Sequence, residues 1–97
     1  MTATCLLVAS LMVWTASAYA AAPEPPPGAS ACSGCHLASA GRRSGVPPLT
    51  GRNPADMVAA MQAFRSGQRA ATVMDRIAKG FSDAEVEAIA TWYADRR

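Results

Sequence analysis

Two cysteines and a histidine form the most reactive cluster of this 97-residue chain. Cys32 and Cys35 lie three positions apart, and His36 follows directly, so the stretch reads Cys-Ser-Gly-Cys-His. This order is the pattern of covalent c-type haem attachment. Each thiol would form a thioether bond with one haem vinyl group, and the adjacent imidazole would become the proximal iron ligand. The motif therefore predicts one covalently bound haem.

Three other interpretations of the cysteine pair agree less well with the rest of the chain. A thioredoxin-like redox pair would need a βαβ context, and the sequence has no alternating β-branched runs to build one. Zinc would need two further ligands, yet the chain offers only one histidine and one further cysteine, Cys5. A plain disulfide between residues so close in sequence would close a tight and strained loop. We therefore favour haem.

The N-terminus has the pattern of a secretory signal peptide. Residues 5–14 form an apolar run that is too short to span a bilayer. Small residues over 18–22 then offer Ala-x-Ala cleavage sites. We expect a signal peptide over 1–22, cleaved between Ala20 and Ala22, with an uncleaved anchor as the alternative. Export to the periplasm agrees with the haem motif, because bacteria attach haem covalently outside the cytoplasm.

The remainder of the chain divides into a tether and one small domain. Residues 23–28 are proline-rich and predict an extended tether. Residues 29–97 then form the expected haem domain, which is near the size limit at which an apolar core alone suffices. A bound haem would supply the missing apolar core. We therefore expect the haem-free protein to be largely unfolded.

A long amphipathic helix is expected in the middle of this domain. Asn53 is a good N-cap, and Gly67 is a residue at which helices commonly end. Between them, apolar side chains recur at helical spacing. The buried stripe of this helix would consist of Met57, Met61 and Phe64.

The last helix is expected to begin at a capping box. Ser82-x-x-Glu85 is its sequence pattern, and a shorter helical segment over 72–79, closed by Gly80, would precede it. The positions expected to face inward are Val73 and Ile77 in the short segment, and Val86, Ile89, Ala90 and Tyr93 in the last helix. The fold class is therefore all-α, with three to four short helices around one covalent haem.

The sixth iron ligand is expected to be a methionine. His36 is the only histidine, so a second histidine ligand from the same chain is excluded. A thioether is the common alternative. Met57 and Met61 lie on a helical stripe where methionine usually fills the core, whereas Met74 lies in a short segment between two helices. We favour Met74, because its side chain can reach the iron without distorting a long helix, and keep Met61 as the alternative.

The glycine- and proline-rich loop after the motif is expected to orient the proximal ligand. The second imidazole nitrogen of His36 needs a hydrogen-bond acceptor to hold the ring, and a backbone carbonyl of residues 45–48 is the natural choice. Proline stiffens such a loop and leaves its carbonyl free. Leu49 is the one large apolar residue of the loop, so we expect it to point inward among the cofactor-binding residues.

The charge balance gives no reason to propose nucleic-acid binding, because the formal net charge is only +2. Basic residues do concentrate in the middle of the chain. They form either a solvated surface or a weakly basic face that orients docking or pairs with haem propionates. These residues are Arg42, Arg43, Arg52, Arg65, Arg69, Arg76 and Lys79.

The combined motifs resemble a known family. Cys-x-x-Cys-His, then Pro47-x-Leu49-x-Gly51, then a methionine before a final amphipathic helix is similar to the small bacterial class I cytochromes c. Residues 64–83 resemble, more narrowly, the cytochrome subunit of flavocytochrome c sulfide dehydrogenase and related monohaem cytochromes. The resemblance implies the small class I cytochrome c fold, iron ligation by Met74 and a hydrogen bond from the proximal histidine to Pro47.

Electron transfer is the function that these residues predict. With both axial positions filled, no coordination site is open for oxygen chemistry, so the chain itself would not be an enzyme. The resemblance implies a flavoprotein sulfide dehydrogenase as the redox partner. The alternatives are a free electron shuttle for another dehydrogenase or a terminal oxidase, and a haem-based gas sensor with a labile Met74.

Overall fold

A computed structural model describes residues 20–37 and 45–96. Within these two ranges every regular element is helical, which confirms the predicted all-α class. The four helices are α1 (Ala29–Ser33), α2 (Pro54–Ser66), α3 (Met74–Ala78) and α4 (Asp83–Ala94).

Parts of the sequence predictions fall outside the described residues. These are the expected signal peptide up to residue 19, which includes Cys5, and the loop residues 38–44, which include Arg42 and Arg43. In the part of the chain that is described, no helix is both long and apolar enough to cross a membrane. The boundaries at 22 and 28 stay predictions.

Helix α2 begins and ends where the sequence predicts. The Asn53 side chain accepts hydrogen bonds from the backbone N–H groups of Ala55, at 2.8 Å, and Asp56, at 3.4 Å. These bonds satisfy donors that have no partner inside the helix. At the other end Gly67 adopts a φ of 79°, a left-handed conformation that glycine accepts without steric cost.

The capping box at the start of α4 is confirmed. The hydroxyl of Ser82 accepts a hydrogen bond from the Glu85 N–H at 3.2 Å, and the Glu85 carboxylate accepts one from the Ser82 N–H at 2.7 Å. The helix then turns its apolar stripe toward α2. All four residues predicted for its inward face are buried: Val86, Ile89, Ala90 and Tyr93.

Helix α3 is shorter than the predicted segment over 72–79. Its buried residue is Ala78, whose exposure is 0%. Val73 and Ile77, which we expected to face inward, are 52% and 41% exposed and do not belong to the buried core. Both side chains instead line the cavity described below.

The core joins the two ends of the domain. Helix α2 packs against both α3 and α4, and one cluster of buried residues links α1, α2 and α4: Ala29, Met57, Ile89, Ala90 and Tyr93. Gly28 precedes α1 with a φ of 85°, and a Cβ atom there would lie 2.6 Å from the ring of Phe81. Glycine is therefore required at this position for conformation and for close packing.

Candidate functional site

An apolar cavity of about 510 Å³ lies beside the Cys-x-x-Cys-His motif. All four helices and the loop between α1 and α2 contribute to its wall. Ligand sites of this kind typically measure about 300–1,000 Å³ and carry few polar groups. The apolar lining residues are Ala31, Val46, Pro47, Leu49, Met57, Ala60, Met61, Phe64, Val73, Met74, Ile77, Phe81, Val86, Ile89 and Ala90.

The two thiols and the imidazole of the motif line the same cavity. The backbone turns tightly after α1, because the Cys32 carbonyl accepts the N–H groups of Cys35, at 3.3 Å, and His36, at 2.9 Å. Cys32 is half-buried and Cys35 is exposed, and no disulfide joins them. Burial raises the pKa of the Cys32 thiol. The turn therefore presents two sulfurs and one imidazole to one apolar space.

The orientation of His36 follows from one hydrogen bond. Its Nδ1 atom lies 2.6 Å from the backbone carbonyl oxygen of Pro47. A carbonyl oxygen can only accept, so Nδ1 carries the hydrogen and donates it. In the neutral imidazole this leaves the lone pair on Nε2, the atom through which a metal ion would bind. The acceptor is the residue that the family resemblance implies.

The loop that carries Pro47 is itself anchored to the fold. Leu49 is partly buried and packs against the core cluster. Its carbonyl accepts the N–H of Arg52 at 3.3 Å, and the Gly51 N–H donates to the Tyr93 carbonyl in α4 at 3.1 Å. The acceptor for His36 is thereby held in place by contacts with the last helix.

Three methionines line the cavity. Met57 and Met61 come from α2, and Met74 is the first residue of α3. Met57 is only 8% exposed and belongs to the core cluster, whereas Met61 and Met74 are partly exposed. The structure therefore brings both predicted thioether candidates to the same cavity as the imidazole.

Polar groups are few around this cavity. Arg52 and Arg69, two of the basic residues identified in the sequence, line it, and the guanidinium of Arg69 lies 4.8 Å from the ring centre of Phe64.

Val46 and Phe81 line the wall of the cavity, although no sequence pattern identified them as site residues. Val46 lies in a loop that has no periodic pattern of apolar residues. Phe81 is an apolar residue directly before a capping box, and this position was its only sequence signal.

The residues present fit a covalently bound haem. Two thiols next to an imidazole, an apolar cavity and a thioether on another helix are the donor set of a His/Met haem site. A zinc site fits less well, because within 20–37 and 45–96 no three His, Cys, Asp or Glu side chains come together to hold a metal ion. The chemistry of the donors thus favours haem iron over a structural metal.

The similarity to known proteins agrees with this site. No protein-family model matches the chain. Over 64 residues it is 34% identical to the cytochrome subunit of sulfide dehydrogenase from Chlorobaculum tepidum. The match covers 66% of this chain and 58% of that protein, so the chain spans less than two thirds of its relative's length. The predicted resemblance to the cytochrome subunit of a sulfide dehydrogenase is confirmed.

Proposed function

We propose that this protein is a periplasmic monohaem c-type cytochrome that carries single electrons. It would serve as the electron-accepting subunit or partner of a sulfide-oxidising flavoprotein dehydrogenase. One observation carries the proposal: Cys32, Cys35, His36 and Met74 line the same apolar cavity, and the Nδ1 of His36 is held 2.6 Å from the carbonyl of Pro47.

Each residue of the site has a distinct role in this proposal. Haem supplies an iron that changes between ferric and ferrous states. Cys32 and Cys35 hold the group through thioether bonds, which keeps it in the cavity. The Pro47 carbonyl would hold the His36 ring so that Nε2 can bind the iron, and the Met74 thioether would be the second protein ligand.

Two protein ligands to the iron, His36 and Met74, would suit the chain to electron transfer rather than to catalysis. Both side chains would hold the haem, and the haem would supply one-electron redox chemistry. Substrates such as oxygen would find no open coordination site. Any catalysis would therefore take place in a partner protein.

Electrons would pass through the edge of the site that faces solvent. Gly34 and Cys35 are exposed at the motif, and Leu37 beside them is 49% exposed. An exposed edge of this kind would let a protein partner approach the haem closely. The relative named above is a subunit of a sulfide dehydrogenase, and this supports a dehydrogenase of that kind as the partner here.

Spectroscopy of the exported protein tests the proposal. The full chain should be produced in a bacterium that matures c-type cytochromes, and the periplasmic fraction assayed by intact mass and pyridine haemochrome spectrum. We expect the mass of one haem added to the chain after signal removal. The Cys32→Ala/Cys35→Ala variant is the control and should carry none. A wild-type protein without covalent haem would exclude the proposal.

A second experiment tests the partner. Affinity purification from the native periplasm should recover a flavoprotein if the cytochrome is a stable subunit. A free shuttle would instead show weak docking that falls steeply with salt. The gas-sensor alternative would be favoured if no flavoprotein co-purified, no salt-sensitive docking were found, and the reduced protein bound carbon monoxide rapidly at neutral pH.

A further inference from the structure

Arg65 connects α2 to the segment that follows Met74. Its Nη2 donates to the Phe81 carbonyl at 2.7 Å, and its Nη1 donates to the Asp83 carboxylate at 2.6 Å. A longer contact at 3.4 Å runs from Nε to the Ala78 carbonyl. One guanidinium therefore reaches the last residue of α3, the linker after it and the first turn of α4.

The segment that starts at Met74 has little intrinsic stability. Helix α3 has only five residues, and within the described range 45–96 no side-chain hydrogen bond caps its start. Helices this short are unstable alone in water, so tertiary contacts must hold them. Carbonyls in the last turn of a helix also lack partners inside it. The Ala78 carbonyl accepts the Phe81 N–H at 3.4 Å, and the donors of Arg65 add a contact there and a shorter one at the Phe81 carbonyl.

Arginine suits this position better than any other residue. A planar guanidinium can direct several N–H groups along fixed directions, whereas a lysine ammonium acts as one compact charge. The Arg65 side chain is 31% exposed and that of Asp83 is 62% exposed, so the ion pair alone is close to a surface salt bridge of small effect. The two carbonyl contacts, which are partly buried, are what distinguish Arg65.

We infer that Arg65 is a positioning residue for the sixth iron ligand. It holds residues 74–83 against α2, so that the Met74 side chain stays at the cavity. Arg65 itself lies outside the set of described residues that line the cavity, so its effect is transmitted through the backbone of this segment. The inference rests on the function proposed above, in which Met74 binds the iron.

The test measures how easily an external ligand displaces the thioether. Haem-loaded wild type, Arg65→Gln and Arg65→Lys are titrated with carbon monoxide in the reduced state and with imidazole in the oxidised state. Loss of the charge-assisted contacts should raise the affinity of Arg65→Gln for both ligands about tenfold or more. The far-red charge-transfer band of methionine-bound ferric haem should weaken in parallel. Arg65→Lys should resemble Arg65→Gln, because a lysine ammonium cannot donate along the fixed directions of the planar guanidinium.

Two further variants separate positioning from general stability. Asn53→Ala removes the cap at the other end of α2, and should leave ligand affinity within about twofold of wild type despite its lower stability. Asp83→Asn removes only the ion pair, and should have a smaller effect than Arg65→Gln. It also provides a measurement if Arg65→Gln does not mature.

The outcomes distinguish this inference from the proposed function. Equal ligand affinities in wild type, Arg65→Gln and Asp83→Asn would overturn the role of Arg65 while leaving Met74 as the ligand. Equal increases in Arg65→Gln and Asn53→Ala would also overturn it, because they would reflect stability alone. A wild-type protein without the far-red band would instead refute methionine ligation, and the inference with it.

Discussion

The hydroxyl of Tyr93 in α4 donates a hydrogen bond to the backbone carbonyl of Ala29, the first residue of α1. The two residues are 64 positions apart, and both are buried. Burial raises the pKa of the Tyr93 hydroxyl, which keeps it protonated as a donor. The bond attaches the helix that carries Cys32 to the last helix, and so fixes one wall of the cavity.

Replacing Tyr93 by phenylalanine should lower the free energy of unfolding by about 1–3 kcal/mol, because the buried Ala29 carbonyl loses its donor. Urea unfolding of the haem-loaded protein would measure the change. Thr91→Ala is the matched control on the same helix. Its hydroxyl donates to the Glu87 carbonyl at 2.9 Å on the exposed side, so we expect a change within about 0.5 kcal/mol. Equal losses in both variants would contradict the role of the Tyr93 bond.

Replacing Met74 by leucine should remove the far-red charge-transfer band and lower the reduction potential, because a thioether ligand favours ferrous iron. Leucine conserves volume, so packing should change little. Potentiometry and the ferric absorption spectrum are the measurements. Met61→Leu serves as the control and should leave both properties unchanged. If Met61→Leu lost the band and lowered the potential while Met74→Leu changed neither, Met61 would be the ligand.

The stability of the domain should depend on Glu85 at acid pH. Hydrogen bonds from the Ser82 N–H and hydroxyl groups lower the pKa of Glu85 from its usual value of 4.5. The unfolded chain therefore binds the proton more readily, so the stabilisation is present above pH 4.5 and is lost as the pH falls through the folded-state value.

Urea unfolding over a pH series from about 6 to about 3 would reveal this contribution. Glu85→Gln should flatten the acid side of the stability profile, because glutamine does not titrate. Glu87→Gln, a change at an exposed residue of the same helix, should retain the wild-type slope contributed by Glu85. An identical slope in wild type and Glu85→Gln would rule out this origin of the pH dependence.

Haem-free protein should lose most of its helical structure. The buried apolar residues of the described chain are few and include three alanines, Ala29, Ala78 and Ala90, while many larger apolar side chains line the cavity instead. Circular dichroism of the Cys32→Ser/Cys35→Ser variant should show far less helix than the haem-loaded wild type. A native-like helical spectrum without haem would mean that the protein core alone suffices.

Local signals account for what could be predicted of the fold. The ends of α2 and the start of α4 depend on side chains that bond to backbone groups two or three residues away, as Asn53 and Ser82 do. Such contacts form whenever the helix forms, so their residue types reveal them. The start of α3 lacks a side-chain cap of this kind in the described chain, and its predicted bounds over 72–79 were correspondingly too wide.

The sequence by itself determined the Cys-x-x-Cys-His motif, the all-α class and the helix caps, because each depends on residues close together in the chain. Only the tertiary structure decided what surrounds the motif. Arg65 reaches acceptors 13 to 18 positions away, and the sequence showed it only as one of several basic residues. Tyr93 was predicted to be buried, but its bond to Ala29 depends on how α1 and α4 pack. Contacts between distant elements follow from the packing of whole helices, which no local pattern encodes.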